Sequence, residues 1–420
     1  MNDLGGAQLR AHPTLMRQGL SLALIALTLA LAYGSWYAYS VFLVALLNDF
    51  GWSRSTLGGA FSLFAIVQGA ANPVLGMVCD KVRPPAVVAV GSIALGATLY
   101  LDSYINEPWH LYVCFGGLTA VAVALCGWIP AVVQVQRRFQ RRLGLALGIV
   151  SSGVGVGMLV VVPLCEHLIE AHGWREAFRV LAMICTAFTL PAALFLWWET
   201  PAHRPPAPRA AAALSMGNSM TLREATRTAP FWLMVGTFFC GSLCSQSLHV
   251  HQVAFLVDHG ISAMVAASVV GVVGVASIVG KTGGGWLSDR IERELVYIGG
   301  VSVLVASVGA LLLVGAQPTP WGVYTYAVML GIGYAVTAAI MPAMVADRFH
   351  GRHFGSILGV GLFGSAAGSA FGPWMSGYLH DLTGSYTLPF SIAALTGLLA
   401  CAAGALARHM RRAALAARGA

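Results

Sequence analysis

The placement of charge constrains this chain more than any other feature. Only 10% of its 420 residues are Asp, Glu, Lys or Arg, against roughly 25% in soluble globular proteins. Those charges collect in short segments between apolar blocks of more than about 18 residues, the length a helix needs to cross a bilayer. In hydrocarbon each backbone N–H and C=O must be satisfied within its own segment, so the blocks have to be helices. The pattern predicts twelve spans, at residues 19–47, 55–79, 86–104, 109–137, 143–168, 175–199, 230–258, 262–288, 294–315, 320–347, 353–381 and 385–408. The fold class is an all-α polytopic membrane protein. Its partner is the lipid bilayer, and its 49 glycines suit helices that approach closely there.

A net charge of +8 raises the question of nucleic acid. The arginines sit at span ends rather than on one face, so they read as topology signals and no nucleic-acid partner is expected. Met1 to Gln18 is polar and basic and the first apolar run continues through Leu47, too long for the core of a cleavable signal. The eight cysteines (Cys79, Cys114, Cys126, Cys165, Cys185, Cys240, Cys244 and Cys401) form no CxxC pair. They read as small apolar filler, with no metal, disulfide framework or cofactor expected. No Ser/His/Asp constellation or phosphate loop shares a face, so the chain is not expected to be an enzyme.

Alternate loops are basic. They hold Lys81 and Arg83; Arg137, Arg138, Arg141 and Arg142; Arg204, Arg209, Arg223 and Arg227; Arg290 and Arg293; Arg348 and Arg352. The opposite loops carry Asp49, Asp102, Glu107, Glu166, Glu170, Asp258 and Asp381. The positive-inside rule then places both termini in the cytoplasm, with the chain in the cell inner (plasma) membrane. A polar break from His203 to Arg227, with the proline run Pro205 to Pro208, divides the spans six and six. The expected domains are an N-terminal six-helix bundle at 1–200, a cytoplasmic linker at 201–229 and a C-terminal six-helix bundle at 230–420. Thr221 to Thr228 reads as a short amphipathic piece on the membrane surface.

The halves also repeat. A shift of 209 residues places Asp49-Phe50-Gly51-Trp52-Ser53 on Asp258-His259-Gly260-Ile261-Ser262, and Asp80-Lys81 on Asp289-Arg290. A shift of 211 places Gly144, Gly148 and Gly153 on Gly355, Gly359 and Gly364, and Gly173 on Gly384. This is the parallel duplication of two-bundle transporters, which hold substrate near the midplane between halves. The same 209 shift sets Asn72 against Lys281, one of only two lysines in the chain. A lysine at that depth costs about 2.5–3.5 kcal/mol on insertion scales, which marks a functional site by default.

Gly76-x3-Asp80-Lys81-x-Arg83, echoed by Gly285-x3-Asp289-Arg290-x2-Arg293, resembles the loop motif of the major facilitator superfamily, and the resemblance runs over nearly the whole chain. It implies the twelve-helix, two-bundle fold of that family, and a conformational latch at Asp80, Lys81, Arg83, Asp289, Arg290 and Arg293. Asp49-Phe50-Gly51-Trp52-Ser53-Arg54, and Arg138-Phe139-Gln140-Arg141-Arg142 running into Gly144, Gly148, Gly153 and Gly157, are similar to the monocarboxylate porters and oxalate/formate exchangers. In that group a cation on the eighth helix, usually arginine, binds the substrate carboxylate, and Lys281 occupies its place. Lysine offers a compact point charge instead of a bidentate fork. The second cation of the dicarboxylate exchangers is missing on the eleventh span, which reads Gly359-Val360-Gly361-Leu362, and Ser277, a further candidate substrate contact, stands where animal monocarboxylate porters carry an acid. One buried cation neutralises one carboxylate, so a monocarboxylate is expected.

Helical spacing adds candidate walls. Tyr33 and Tyr37 share a face of the first span, Asn72 mirrors Lys281, and Trp128 and Tyr334 match positions often aromatic in the resembled group. His249 and His251 titrate near neutral pH and are candidates, with Lys281, for proton coupling. Their rings lie about 200° apart around a helix, so only one of them can face a pocket. The expected function is a secondary active transporter of a small organic monocarboxylate by alternating access, as a proton symporter and a monomer. The alternatives are exchange for a counter-anion and export of drugs or neutral metabolites. Against drug export, no Asp or Glu lies deep in any span.

Overall fold

The computed structural model describes residues 15–138, 143–199, 220–349 and 354–419. Arg204, Arg209, Arg352, residues 139–142 and most of the linker lie outside the described residues, as does the side chain of Asp80. Twelve long helical elements run in order. They are α1, in two pieces, Leu15–Tyr37 and Tyr39–Phe50; α2, Arg54–Lys81; α3, Pro84–Asp102; and α4, ending in Trp128–Arg138. Next come α5, Leu143–His172; α6, Trp174–Glu199; α7, Ala229–Asp258; and α8, Ala263–Ser288. The last four are α9, Arg293–Ala316; α10, Pro320–Arg348; α11, Phe354–Thr383; and α12, Thr387–Gly419. Among the described residues 11 helices have the length and hydropathy to cross a membrane. The twelfth is α11, 30 residues long, whose glycines and serines dilute its hydropathy. A one-turn helix at Leu222–Ala225, closed by a Thr221/Glu224 capping box, precedes α7.

The fourth span departs from the unbroken helix expected over 109–137. It runs as Pro108–Leu111, a π-helical stretch Tyr112–Thr119, and Ala120–Leu125, then breaks before Trp128. Pro130 is the reason: it has no N–H for the Cys126 carbonyl four residues earlier, so the ladder stops there and restarts.

The duplication is built in atomic contacts. In the first half, the ideal Cβ positions of Gly153 and Gly157 on α5 fall 2.3 and 2.1 Å from the carbonyl oxygens of Ala26 and Ala30 on α1. In the second, those of Gly364 and Gly368 on α11 fall 2.4 and 2.1 Å from Val235 and Phe239 on α7. Any side chain at these four glycines would collide with backbone. Gly51 and Gly260, equivalent under the 209 shift, both adopt the left-handed conformation, with φ of 64° and 81°. In each copy a serine then caps the next helix: Ser53 accepts from the Thr56 N–H and Ser262 from the Val265 N–H.

Alternate helix ends define two faces. The terminus face holds the start of α1 and the end of α12; the far face holds the α1–α2 and α7–α8 corners. The halves meet through α2 with α11, α5 with α8, and α1 with α7. Contact on the first pair starts at the far face, where Gly377 crosses Arg54, and continues through Gly58 on Pro373 to Gly69 on Ala366. On the second, Gly271 lies against Leu159, and Gly155 meets both Gly274 and Ile278. Toward the terminus face, Gly148, Gly283 and Gly359 have no atom within 4 Å of an added Cβ, and Ile149, Val279 and Phe363 are exposed. The halves are therefore closed at the far face and apart at the terminus face.

Candidate substrate site

Lys281 lies three residues beyond Ile278, and Asn72 three beyond Gly69. Both thus sit where the tight inter-half contacts give way to the open end, and both are half-buried. The Lys281 ammonium is 5.9 Å from the centre of the Tyr334 ring, over its face, where the negative ring quadrupole attracts a cation. Tyr334 on α10 is bridged to the other half, because the Tyr37 hydroxyl of α1 donates to its oxygen at 3.2 Å. The His249 ring packs against both, 4.8 Å from Tyr334 and 5.5 Å from Tyr37 between centres. Lys281, Tyr334, Tyr37 and His249 form one cluster across the midline.

Trp36 extends it. This buried indole stacks between Tyr33 and Tyr37, at 5.3 and 5.7 Å, forming an aromatic shelf on α1 just before the break at Ala38. Tyr33 lies near the backbone of Trp128, beside the α4 break. Sequence reasoning passed over Trp36. Its spacing from Tyr33 and Tyr37 was visible, but an indole in a hydrophobic span carries no charge to mark it.

The two histidines separate as their 200° spacing requires. His251 is fully engaged in packing: its Nε2–H donates to the Pro373 carbonyl at 2.9 Å and its Nδ1 accepts from the Tyr386 hydroxyl at 3.0 Å. His249 donates from Nδ1–H to the Ser245 carbonyl at 2.8 Å, leaving Nε2 a buried acceptor without a protein partner. Only His249 faces the cluster. Ser277, one turn before Lys281, is buried and returns its hydroxyl to Gly274 of its own helix.

The latch residues are spread over the terminus face. Arg293 pairs with Asp347 and donates to the Ala343 carbonyl at 3.1 Å, tying α9 to α10. Arg290, in the turn after α8, stacks 3.6 Å over Trp286 of that helix. Lys81 and Asp289 are exposed and Arg83 half-buried. Neither Asp289 nor Lys281 has an ion-pair partner among the described residues. The ion pairs that do form lie at helix ends. A half-buried lysine beside two phenol hydroxyls and stacked rings is suited to receiving one anionic group, with apolar surface for the remainder of a small molecule. No group of three or more His, Cys, Asp or Glu with metal-binding geometry occurs among the described residues.

Known proteins bear on this arrangement in two ways. The family model described as Major Facilitator Superfamily matches residues 25–360 and 258–418. Monocarboxylate transporter 13 of Rattus norvegicus is 25% identical over 87% of this chain and 82% of its own. Monocarboxylate transporter 12 of Mus musculus is 28% identical over 84% and 77%, and Monocarboxylate transporter 11 of Homo sapiens 28% over 86% and 76%. A crystal structure of a bacterial homolog to the human lysosomal transporter Spinster, inward-facing and unoccupied, superposes with a TM-score of 0.70 at 17% identity, over 93% of this chain and 96% of that one. At that identity the likeness shows the fold alone. The chain therefore belongs to the major facilitator superfamily, as a multi-pass, non-enzymatic secondary transporter similar to monocarboxylate transporters.

Proposed function

We propose that this protein moves a small organic monocarboxylate by alternating access, coupled to a proton, with Lys281 binding the carboxylate. The observation that carries the reading is Lys281 itself, a half-buried cation without an acidic partner among the described residues, at the meeting line of the halves and beside Tyr334. A carboxylate there would pair with the ammonium and accept hydrogen bonds from Tyr37 or Tyr334. Tyr33, Trp36, Trp128 and Asn72 would line the path of its carbon skeleton, with Ser277 supporting the close α8 packing behind Lys281. The occupied site is neutral and crosses the bilayer at lower cost than an unpaired charge.

The proton would travel on Lys281 or on His249 Nε2, the acceptor that faces Tyr37 of one half and Tyr334 of the other. His251, held at both nitrogens, is the weaker candidate. The basic loops support cytoplasmic termini in the inner (plasma) membrane; the terminus face is then the cytoplasmic one, and the conformation described opens inward. Residues 1–200 and 230–420 would be the moving bundles, joined by 201–229, in a monomer. Asp80, Lys81, Arg83, Asp289, Arg290 and Arg293 would form the cytoplasmic latch.

Uptake of radiolabelled lactate, pyruvate or an aryl acid into proteoliposomes, with and without an acid-outside gradient, tests the reading. Saturable carboxylate uptake stimulated by the gradient is expected. Uptake of organic cations but not of carboxylates would refute it, and carboxylate uptake that needs internal carboxylate and ignores the gradient would replace symport with exchange.

A further inference from the structure

At the far face the two copies of the duplicated corner are completed by different partners. In the first half, Asp49 accepts from Arg175 at 3.1 Å and from the Trp174 indole at 2.9 Å, both at the start of α6. This closes the corner within one bundle. In the second half the equivalent acid is Asp258, and the residue 211 positions after Arg175 is Tyr386. Asp258 therefore lacks the arginine of its own bundle. It receives Arg54 from the first half instead, with Nη2 at 2.8 and 2.6 Å from its two oxygens.

Several further contacts hold Arg54 in place. Its guanidinium lies 5.3 Å over the Tyr386 ring, and its Nη1 is 3.3 Å from His380 Nδ1. Asp381, at the end of α11, accepts from the Arg54 and Ser55 N–H groups at 2.9 and 2.8 Å, capping the start of α2 from the opposite half. A carboxylate at a helix N-terminus is held by otherwise unsatisfied N–H donors and by the helix dipole. Gly377 allows this approach, since its Cβ position is only 2.3 Å from the Arg54 carbonyl oxygen. Below the cluster lies a cleft of about 280 Å³ lined by Asn48, Arg54, Ala254 and Asp258, and further along α1 and α7 Ser40 and His249 line a separate, closed pocket.

We propose that Arg54 is the far-face gate of transport, held by Asp258 and Asp381 of the opposite half, and that these contacts must break for the site to open to that side. The assignment goes beyond the substrate reading and does not depend on it. Arg54 is a positioning residue here, acting on the halves and not on substrate.

The test measures access without substrate. Ser40→Cys places a thiol at a buried position beneath the cleft, and Ser62→Cys, where the native hydroxyl bonds the Ala370 carbonyl across the halves, gives a second reporter. Labelling by a water-soluble maleimide is followed in the purified full chain, with the same chain lacking the added cysteine as background. Arg54→Ala and Asp258→Asn are each expected to raise the labelling rate about fivefold, the scale of losing one partly exposed ion pair. The exchanged pair Arg54→Asp with Asp258→Arg should return it toward the parent. Arg175→Ala, which breaks the same kind of pair within one half, should leave it unchanged. Equal labelling in Arg54→Ala and its parent, or an equal rise in Arg175→Ala, overturns the gate. Should Arg54→Ala not fold, Asp258→Asn carries the same decision. Loss of carboxylate uptake alone would bear only on the substrate site.

Discussion

In the first half, Asp49 finds its cation one helix pair away in its own bundle; in the second, Asp258 reaches across the interface to Arg54. The acids are equivalent in sequence, follow the same helix end and precede glycines in the same left-handed conformation. Two differences between the copies, Tyr386 where the other has Arg175 and Ala263 where the other has Arg54, turn an internal brace into a link between halves. Depth tells the same story: Asn72 and Lys281 hold matching places below the last tight contacts, and only one is charged. The glycine crossings of α1 on α5 and α7 on α11, by contrast, agree to about a tenth of an ångström. Duplication preserved what holds each bundle together, and the copies diverged at the interface between them.

That contrast can be broken or sharpened by experiment. The largest effect is expected at the buried pair of positions. Lys281→Ala should weaken carboxylate binding at least about 30-fold, since truncating one member of a buried charge pair costs about 2–5 kcal/mol. Lys281→Arg should retain part of it, and Asn72→Ala should cost less than about tenfold. Equilibrium binding in detergent decides, and equal losses at both positions would remove the asymmetry. Next come the crossings. Gly157→Leu and Gly368→Leu should each destabilise by about 1–3 kcal/mol through overpacking against backbone. Thermal unfolding that fell in only one of them would show that the bundles are not built alike.

Smaller effects separate the corners. Arg175→Ala should cost no more than about 1 kcal/mol, because its pair with Asp49 is solvent-exposed, with no change in far-face access. The smallest concerns the terminus face, where Glu292 accepts from Arg412 and Arg408 of α12. These guanidinium hydrogen bonds hold its carboxyl down to about 2 from an ordinary 4.5. A depressed carboxylate contributes stability above its unfolded value that is lost as pH falls through the folded one. The end of α12 should therefore stay docked at neutral pH and loosen only between about 4.5 and 2. Hydrogen exchange over residues 400–412 would show this, with Glu292→Gln loosened already at pH 7.

Much of the molecule could be read without coordinates. Twelve spans, their duplication and the exceptional lysine all follow from hydropathy, charge placement and a constant shift, because a bilayer penalises every exception in one dimension along the chain. The broken α4 was not foreseen, although Pro130 marked it. Periodicity registers polarity, and a missing N–H in an apolar stretch leaves polarity unchanged. The histidines were legible only as a pair of opposed faces. Pro373 and Tyr386 had to meet His251, and Tyr37 and Tyr334 to meet His249, before the two could be told apart.

What the sequence determined by itself was the membrane fold, the two copies and the lysine placed within an apolar span. What only the tertiary structure decided was partnership. The duplicated motif made Asp258 look like a second Asp49, and no spacing rule joins it to Arg54, 204 residues earlier. The physical reason is that hydrophobic matching to lipid acts on each helix separately. Ion pairs, caps and aromatic contacts depend instead on which helix ends the packed bundles bring within a few ångströms.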